Sequence, residues 1–192
     1  MTISLRKGDW ICTFTGGCFY PMDPRLDEVE IEDIAHALSM MCRFGGHCRQ
    51  FYSVAEHSVR VMSALASRTP DAKHSPGLLL AALLHDASEA YLIGLPRPIK
   101  AHIPTYKVIE LQVEGVIYSC FGINSYERSH PAIKICDNVL LATEKRDLMP
   151  TQSTEWAPLP NPLRGKIRPW SPKKAKEQFL MEFERLQTAR GV

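Results

Sequence analysis

Five residues have both the types and the placement to do chemistry: His57, His85, Asp86, Glu89 and Asp137. Three of them lie in the stretch 77–91, Gly-Leu-Leu-Leu-Ala-Ala-Leu-Leu-His-Asp-Ala-Ser-Glu-Ala-Tyr, which is apolar on every side until an imidazole and two carboxylates break it. A helix that is apolar all round is a buried one, and ionisable groups in such a setting must be paired or hold a metal. At about 3.6 residues per turn, Glu89 stands one turn beyond His85 and close to Asp86, so the three crowd onto adjoining sectors of one helix. Asp137 interrupts another apolar pattern in the same way. Two imidazoles and two carboxylates, in the order His57, His85-Asp86, Asp137, can meet inside a helical bundle.

The elements that must position these residues are legible from periodicity and punctuation. Trp10–Thr15 and Cys18–Tyr20 are rich in aromatic and β-branched residues around Gly16-Gly17, which predicts a β-hairpin over 10–20 with a two-residue turn. Ile31, Ile34, Ala35, Leu38 and Met41 recur at helical spacing, predicting a helix over 31–43 that ends before the glycine pair at 45 and 46. Ser53 and Glu56 form a capping-box pattern that opens a second helix and sets His57 on its first turns. Ser75-Pro76, after a polar turn over 69–76, supplies a capping hydroxyl and a favourable first residue for the central helix. Prolines 96 and 98 make 94–100 a stiff loop. Helices follow from Pro104 to Phe121, closed by Gly122, and from Pro131 onward, with 124–130 as the loop between them. Six prolines and two tryptophans in 150–172 exclude regular helix and predict a strap anchored by Trp156 and Trp170. A final amphipathic helix over 172–188 buries Ala175, Phe179, Phe183 and Leu186. The expected fold class is all-α, a helical bundle with a small N-terminal hairpin.

Composition narrows the function classes. A chain of 192 residues with 45% hydrophobic content suits one globular domain, and a net charge of +2 does not mark a nucleic-acid or membrane binder, so a small-molecule partner is expected. The first residues lack the apolar core of a signal peptide, and the longest apolar run is too short to span a bilayer, so a cytoplasmic location is expected. The six cysteines include no Cys-x-x-Cys pair and read as free thiols, with a Cys12–Cys18 bridge across the hairpin as the alternative. His36, His74, His102 and His130 belong to no motif.

The order His57, His85-Asp86, Asp137 resembles the HD-domain metal-dependent phosphohydrolases, with a matching core from about Ile31 to Arg146–Asp147. Within that superfamily, Cys42-Arg43-Phe44-Gly45-Gly46-His47, Phe51-Tyr-Ser-Val-Ala-Glu-His57, Leu84-His85-Asp86-Ala-Ser-Glu89-Ala-Tyr91, Leu95-Pro-Arg-Pro-Ile-Lys100 and Ala142-Thr-Glu-Lys-Arg-Asp147 are most similar to bacterial and prophage 5′-deoxynucleotidases. Related phage enzymes are dATP triphosphohydrolases. The resemblance implies a single domain over 1–192, a deoxynucleotide substrate and self-association. It implies His57, His85, Asp86 and Asp137 as metal ligands, Glu89 with Asp137 as catalytic groups, and Arg43, Lys100 and Lys134 as phosphate contacts. Phe44, Gly46 and His47, beside Arg43, would meet sugar or base.

The chemistry of that set stands beside the resemblance. Mixed nitrogen and oxygen donors suit one divalent ion, Mn2+, Co2+, Zn2+, Fe2+ or Mg2+, and the reaction class is metal-assisted hydrolysis of a phosphate ester. Plainer roles remain open at this stage. Glu89 either deprotonates water or orients a ligand, and Lys134 either faces phosphate or pairs with Asp137 three residues on. A monophosphate or triphosphate substrate and a non-catalytic nucleotide-binding module are the alternatives to be separated.

Overall fold

A computed structural model describes residues 6–69 and 75–191. The polar turn expected over 69–76 lies largely outside these residues, as does His74. The architecture is all-α with a small N-terminal hairpin, as the periodicity predicts.

The hairpin pairs β1 (Ile11–Cys12) with β2 (Cys18–Phe19) antiparallel, Ile11 opposite Phe19 and Cys12 opposite Cys18. Its turn is longer than the expected Gly16-Gly17 connection. Thr13 N donates to Gly17 O and Gly16 N to Thr13 O, both at 3.0 Å, closing a three-residue loop in which Gly16 takes φ +87. The loop is set by a helix: buried Asp33 accepts from Thr15 N at 2.7 Å and from Thr15 Oγ1 at 3.1 Å. Cys12 and Cys18 are free thiols.

Helix α1 (Ile31–Met40) stops three residues short of the expected end, because the following backbone groups pair sideways. Val54 N donates to Met41 O at 3.1 Å and Arg43 N to Tyr52 O at 2.9 Å, which pulls Met41 and Cys42 into extended chain. Helix α2 (Val54–Arg68) begins on half of the expected capping box. Ser53 Oγ accepts from Glu56 N at 3.1 Å, but the buried Glu56 carboxylate turns to Arg60 Nε at 2.9 Å and Trp170 N at 2.7 Å.

The stretch 77–91 is not one helix. It forms α3 (Pro76–Leu83) and α4 (Glu89–Leu92), separated by turns at 84–88. Pro76 does start α3, while the Ser75 side chain makes no cap. Prolines 96 and 98, read above as loop, stand at the start of a short helix α5 (Arg97–Lys100), where a missing N–H is harmless. Helix α6 (Pro104–Cys120) ends at Gly122, φ +63. The expected loop over 124–130 contains α7 (Ser125–Arg128), nucleated by an Asn124–Glu127 capping box. Helices α8 (Pro131–Leu148) and α9 (Pro172–Arg190) complete the chain.

α2 lies at the centre, packed against α3, α8 and α9, and α9 also covers α1 and α3. Fully buried Phe179 and nearly buried Phe183 anchor α9; such side chains each contribute about 1.5–3 kcal/mol on burial. The strap is fastened mainly by polar groups of α8 within the 142–147 motif, to which sequence reasoning assigned no such role. Thr143 Oγ1 accepts from Leu163 N at 2.9 Å, Asp147 Oδ2 accepts from Ile167 N at 2.8 Å, and Arg146 donates to Leu163 O and Gly165 O at 2.6 and 2.7 Å. Trp170 packs on the core, and half-buried Trp156 lies 6.4 Å from the Phe44 ring. Among the described residues no helix is long and apolar enough to cross a membrane.

Candidate metal centre

His57, in the first turn of α2, has no exposed surface, and its Nδ1 lies 2.6 Å from Glu144 Oε1 on α8. His85 lies just past the end of α3, where Leu84 takes φ −97 and ψ 9. Helix ends leave carbonyls without an intrahelical donor, and His85 Nδ1 uses one, lying 2.9 Å from Ala82 O. A carbonyl only accepts, so His85 Nδ1 carries the proton and Nε2 keeps its lone pair. Glu144 selects the same tautomer for His57. Among the described residues neither buried Nε2 atom makes a well-directed hydrogen bond, the nearest acceptors being carboxylate oxygens 3.3 Å away on Asp137 and Asp86.

These two orphaned nitrogens converge with an oxygen of Asp137, all three donor atoms within 4.8 Å of one another. His57 Nε2 stands 3.3 Å from Asp137 Oδ1. Donors held about 2.1 Å from a common ion stand at most about 4.2 Å apart, so the cluster fits a divalent ion after a small inward adjustment. Asp86 is beside it, its Oδ2 3.3 Å from His85 Nε2, 3.7 Å from His57 Nε2 and 3.5 Å from Arg43 Nη1.

The electrostatics show the same demand for a cation. Burial and Arg43 push the His57 pKa down, yet Glu144 and Asp137 outweigh them and hold it at about 9. Burial likewise opposes ionisation of Asp86, but His85, His57 and Arg43 keep its carboxyl far below the usual range. Asp137 is held far down against burial by His57, His85 and Lys134. Without an ion the imidazoles serve as the positive partners of these carboxylates, and a dication bound between them would take that role with both imidazoles neutral.

No protein-family model matches the sequence. The uncharacterized protein YfdR of Escherichia coli (strain K12) is 36% identical over 184 residues, 94% of this chain and 97% of that protein. The chain belongs to the YfdR family. A further relative, an uncharacterized protein of Rhodobacter capsulatus, is 33% identical over 151 residues, covering 74% of each chain.

In this member of the YfdR family the other expected site residues divide into two groups. Arg43 reaches the centre, but it is committed there: Nε and Nη2 lie 3.2 and 3.1 Å from Glu144 Oε2. Glu89 opens α4 with its carboxylate against Gly94, where a Cβ would fall 2.3 Å from Oε1. Burial, and then Asp86, push the Glu89 carboxyl up to about 7. Lys100 is drawn away into an ion pair with Glu110, and Lys134, 63% exposed, pairs with Asp137 Oδ2 at 2.5 Å. Phe44, Gly46 and His47 form a turn in which Phe44, Gly45 and Gly46 all take positive φ; Gly46 and His47 are exposed.

A cavity of about 650 Å³ opens from His85, Asp86 and Asp137 in another direction, toward α6 and the α7–α8 junction. None of Arg43, Phe44, Gly46, His47, Glu89 or Lys100 lines it; Glu114, Tyr118, Arg128, His130 and Lys134 do. Burial, then Glu110, push the Glu114 carboxyl up to about 7. His130, set aside as belonging to no motif, both lines this cavity and caps α8, its Nδ1 accepting from Ala132 N at 3.3 Å. Glu144 stands inside the 142–147 motif, but its role as the partner of His57 was not read from the sequence. Its signal was present: seven residues beyond Asp137 is two helical turns, which returns a carboxylate to the same face.

Proposed function

We propose that the protein is an HD-domain metal-dependent phosphohydrolase that acts on deoxyribonucleotides, foremost as a 5′-deoxynucleotidase releasing phosphate from a monophosphate. The observation that carries this reading is the pair of buried, unpartnered Nε2 atoms, each with its Nδ1 already committed, converging with Asp137 at the end of an open cavity. A divalent ion held there would polarise a phosphoryl oxygen and acidify water. His57, His85 and Asp137 would hold it, with Asp86 close enough to join them. Glu89, with a carboxyl near neutrality, would accept the proton of the attacking water. Arg43 keeps Asp86 and Glu144 in place and supplies fixed positive charge toward the phosphate. The cavity has the size usual for a small-molecule site, and Arg128 and Lys134 on its wall suit the phosphate end of a nucleotide.

A dNTP triphosphohydrolase is the second reading, favoured by one feature. Arg128 and Lys134 set two side-chain cations along the cavity wall, an arrangement that suits a longer phosphate chain. Chelated protein reloaded in turn with Mn2+, Co2+, Zn2+, Fe2+ and Mg2+ should be assayed across dNMPs and dNTPs by phosphate release and ion chromatography. Orthophosphate from dNMPs supports the first reading and tripolyphosphate from dNTPs the second. Cleavage of neither, in any metal, leaves a nucleotide-binding module. One catalytic domain over 1–192, a cytoplasmic location and self-association accompany the proposal, and light scattering on the eluted protein tests the last.

A further inference from the structure

The turn that presents Arg43 is bracketed by two thiols. Cys42 and Cys48 are both half-buried, and their Sγ atoms lie 3.5 Å apart. Between them run Arg43, Phe44, Gly45, Gly46 and His47, with φ +57, +59 and +83 at the three middle positions. The chain on either side is fastened. Val54 N holds Met41 O at 3.1 Å, Tyr52 O holds Arg43 N at 2.9 Å, and Leu148 O holds Arg49 N at 2.9 Å. Cys12 and Cys18 also face each other, across the hairpin, but on an exposed edge whose contacts lead to Asp33 and not to the metal centre.

We propose that Cys42 and Cys48 form a reversible disulfide by exchange with a low-molecular-weight disulfide, and that this bond displaces Arg43 from Asp86 and Glu144. One protein thiolate attacks a sulfur of the small disulfide and expels its partner as a thiolate. The other protein thiolate then attacks the mixed disulfide at the protein sulfur and expels the second half. Two protein thiols lose two protons and two electrons, and the small disulfide becomes two small thiols. A disulfide is about 2.05 Å long, so the sulfurs must approach by about 1.5 Å. With Arg43 N and Arg49 N fastened, that movement falls on the backbone of 44–48 and on the Cys42 and Arg43 side chains at its edge, where Cys48 Sγ already lies 3.8 Å from Arg43 O. Arg43 meets Asp86 at 3.5 Å and Glu144 at 3.1 Å, contacts that a shift of about 1 Å breaks.

The effect on activity rests on the function proposed above; the effect on structure does not. Metal-loaded full-length protein is incubated with oxidised glutathione at millimolar concentration, then digested with trypsin, which cuts after Arg43 and Arg49 and so leaves Cys42 and Cys48 on separate peptides. The expected result is a Cys42–Cys48 cross-linked pair cleaved by dithiothreitol. Trp156 emission should change with the turn, a change lost in Trp156→Phe. Nucleotide hydrolysis should fall about tenfold to a hundredfold and recover on reduction, while Cys48→Ser stays active and insensitive to the oxidant. Only glutathione adducts, or only a Cys12–Cys18 link, overturn the couple. A Cys42–Cys48 link with unaltered emission and activity overturns the displacement of Arg43. If untreated protein hydrolyses no nucleotide, the functional proposal fails by itself, and the peptide map and emission still decide this one.

Discussion

His57 sits inside a regular helix with no exposed surface, and a carboxylate 87 positions away in the chain holds its Nδ1. His85 sits where a helix has just ended, and a carbonyl three residues back holds its Nδ1. Both seats produce the same tautomer and aim Nε2 at the same place. They differ in what maintains them. The first depends on one side chain of α8, which a single substitution removes. The second depends on where α3 stops, a backbone property that few side-chain changes reach.

That difference can be broken first at Glu144, where the largest effect is expected. Glu144→Ala deprives His57 and Arg43 of the same buried partner and should lower unfolding free energy by about 3–5 kcal/mol. Urea unfolding and elemental analysis are the measurements, with loss of bound metal expected as well. An unchanged midpoint and full metal content would show that the His57 seat does not depend on Glu144. His85→Ala comes next: it should abolish metal retention yet reduce stability by less than about 2 kcal/mol, since the ring is partly exposed and its seat is backbone. Asp137→Ala should also empty the site, and retained metal in both variants would dismiss the cluster as a binding site. Glu89→Ala leaves both seats intact and should keep the metal while kcat falls by about a hundredfold. Near-normal kcat would remove Glu89 from the mechanism. Gly94→Ala is the mildest test, because its new methyl group must shift the Glu89 carboxylate. A loss of about tenfold in kcat with unaltered metal content is expected, and no change in rate would show that the position of Glu89 is unimportant.

What was legible in the sequence follows the same division. The longer helices came from periodicity, and His85, Asp86 and Asp137 of the candidate cluster stood out as charges interrupting apolar runs, while His57 was set by its place after the Ser53 cap and by the resemblance. The break between α3 and α4 was invisible because no glycine or proline marks it; residues 84–88 leave the helix in a setting that their own propensities do not announce. Arg97–Lys100 was misread for the opposite reason, a proline taken as a stop where it serves as a start. The short seat at 124–128 was written in Asn124 and Glu127 but overlooked beside a longer polar stretch. Glu144 was only half legible: its spacing from Asp137 is local, but its contact with His57 needs α2 and α8 side by side, and that neighbourhood is tertiary. Lys100 and Lys134 were placed by resemblance; they pair with Glu110 and Asp137, and Lys134 also lines the cavity.

The position of α9 has a consequence for the making of the protein. Of the described helices it is synthesised last, and it covers apolar faces of α1, α2 and α3, which end at residues 40, 68 and 83, well before α9 begins at 172. At about 5–20 residues per second, those faces wait several seconds on the ribosome without their cover. During that interval the nascent chain exposes sticky surface that a holdase chaperone would recognise. A chain halted before Pro172 should therefore accumulate as aggregate or be degraded, while the same chain supplied with α9 in trans should recover soluble protein if docking of that helix is the missing step.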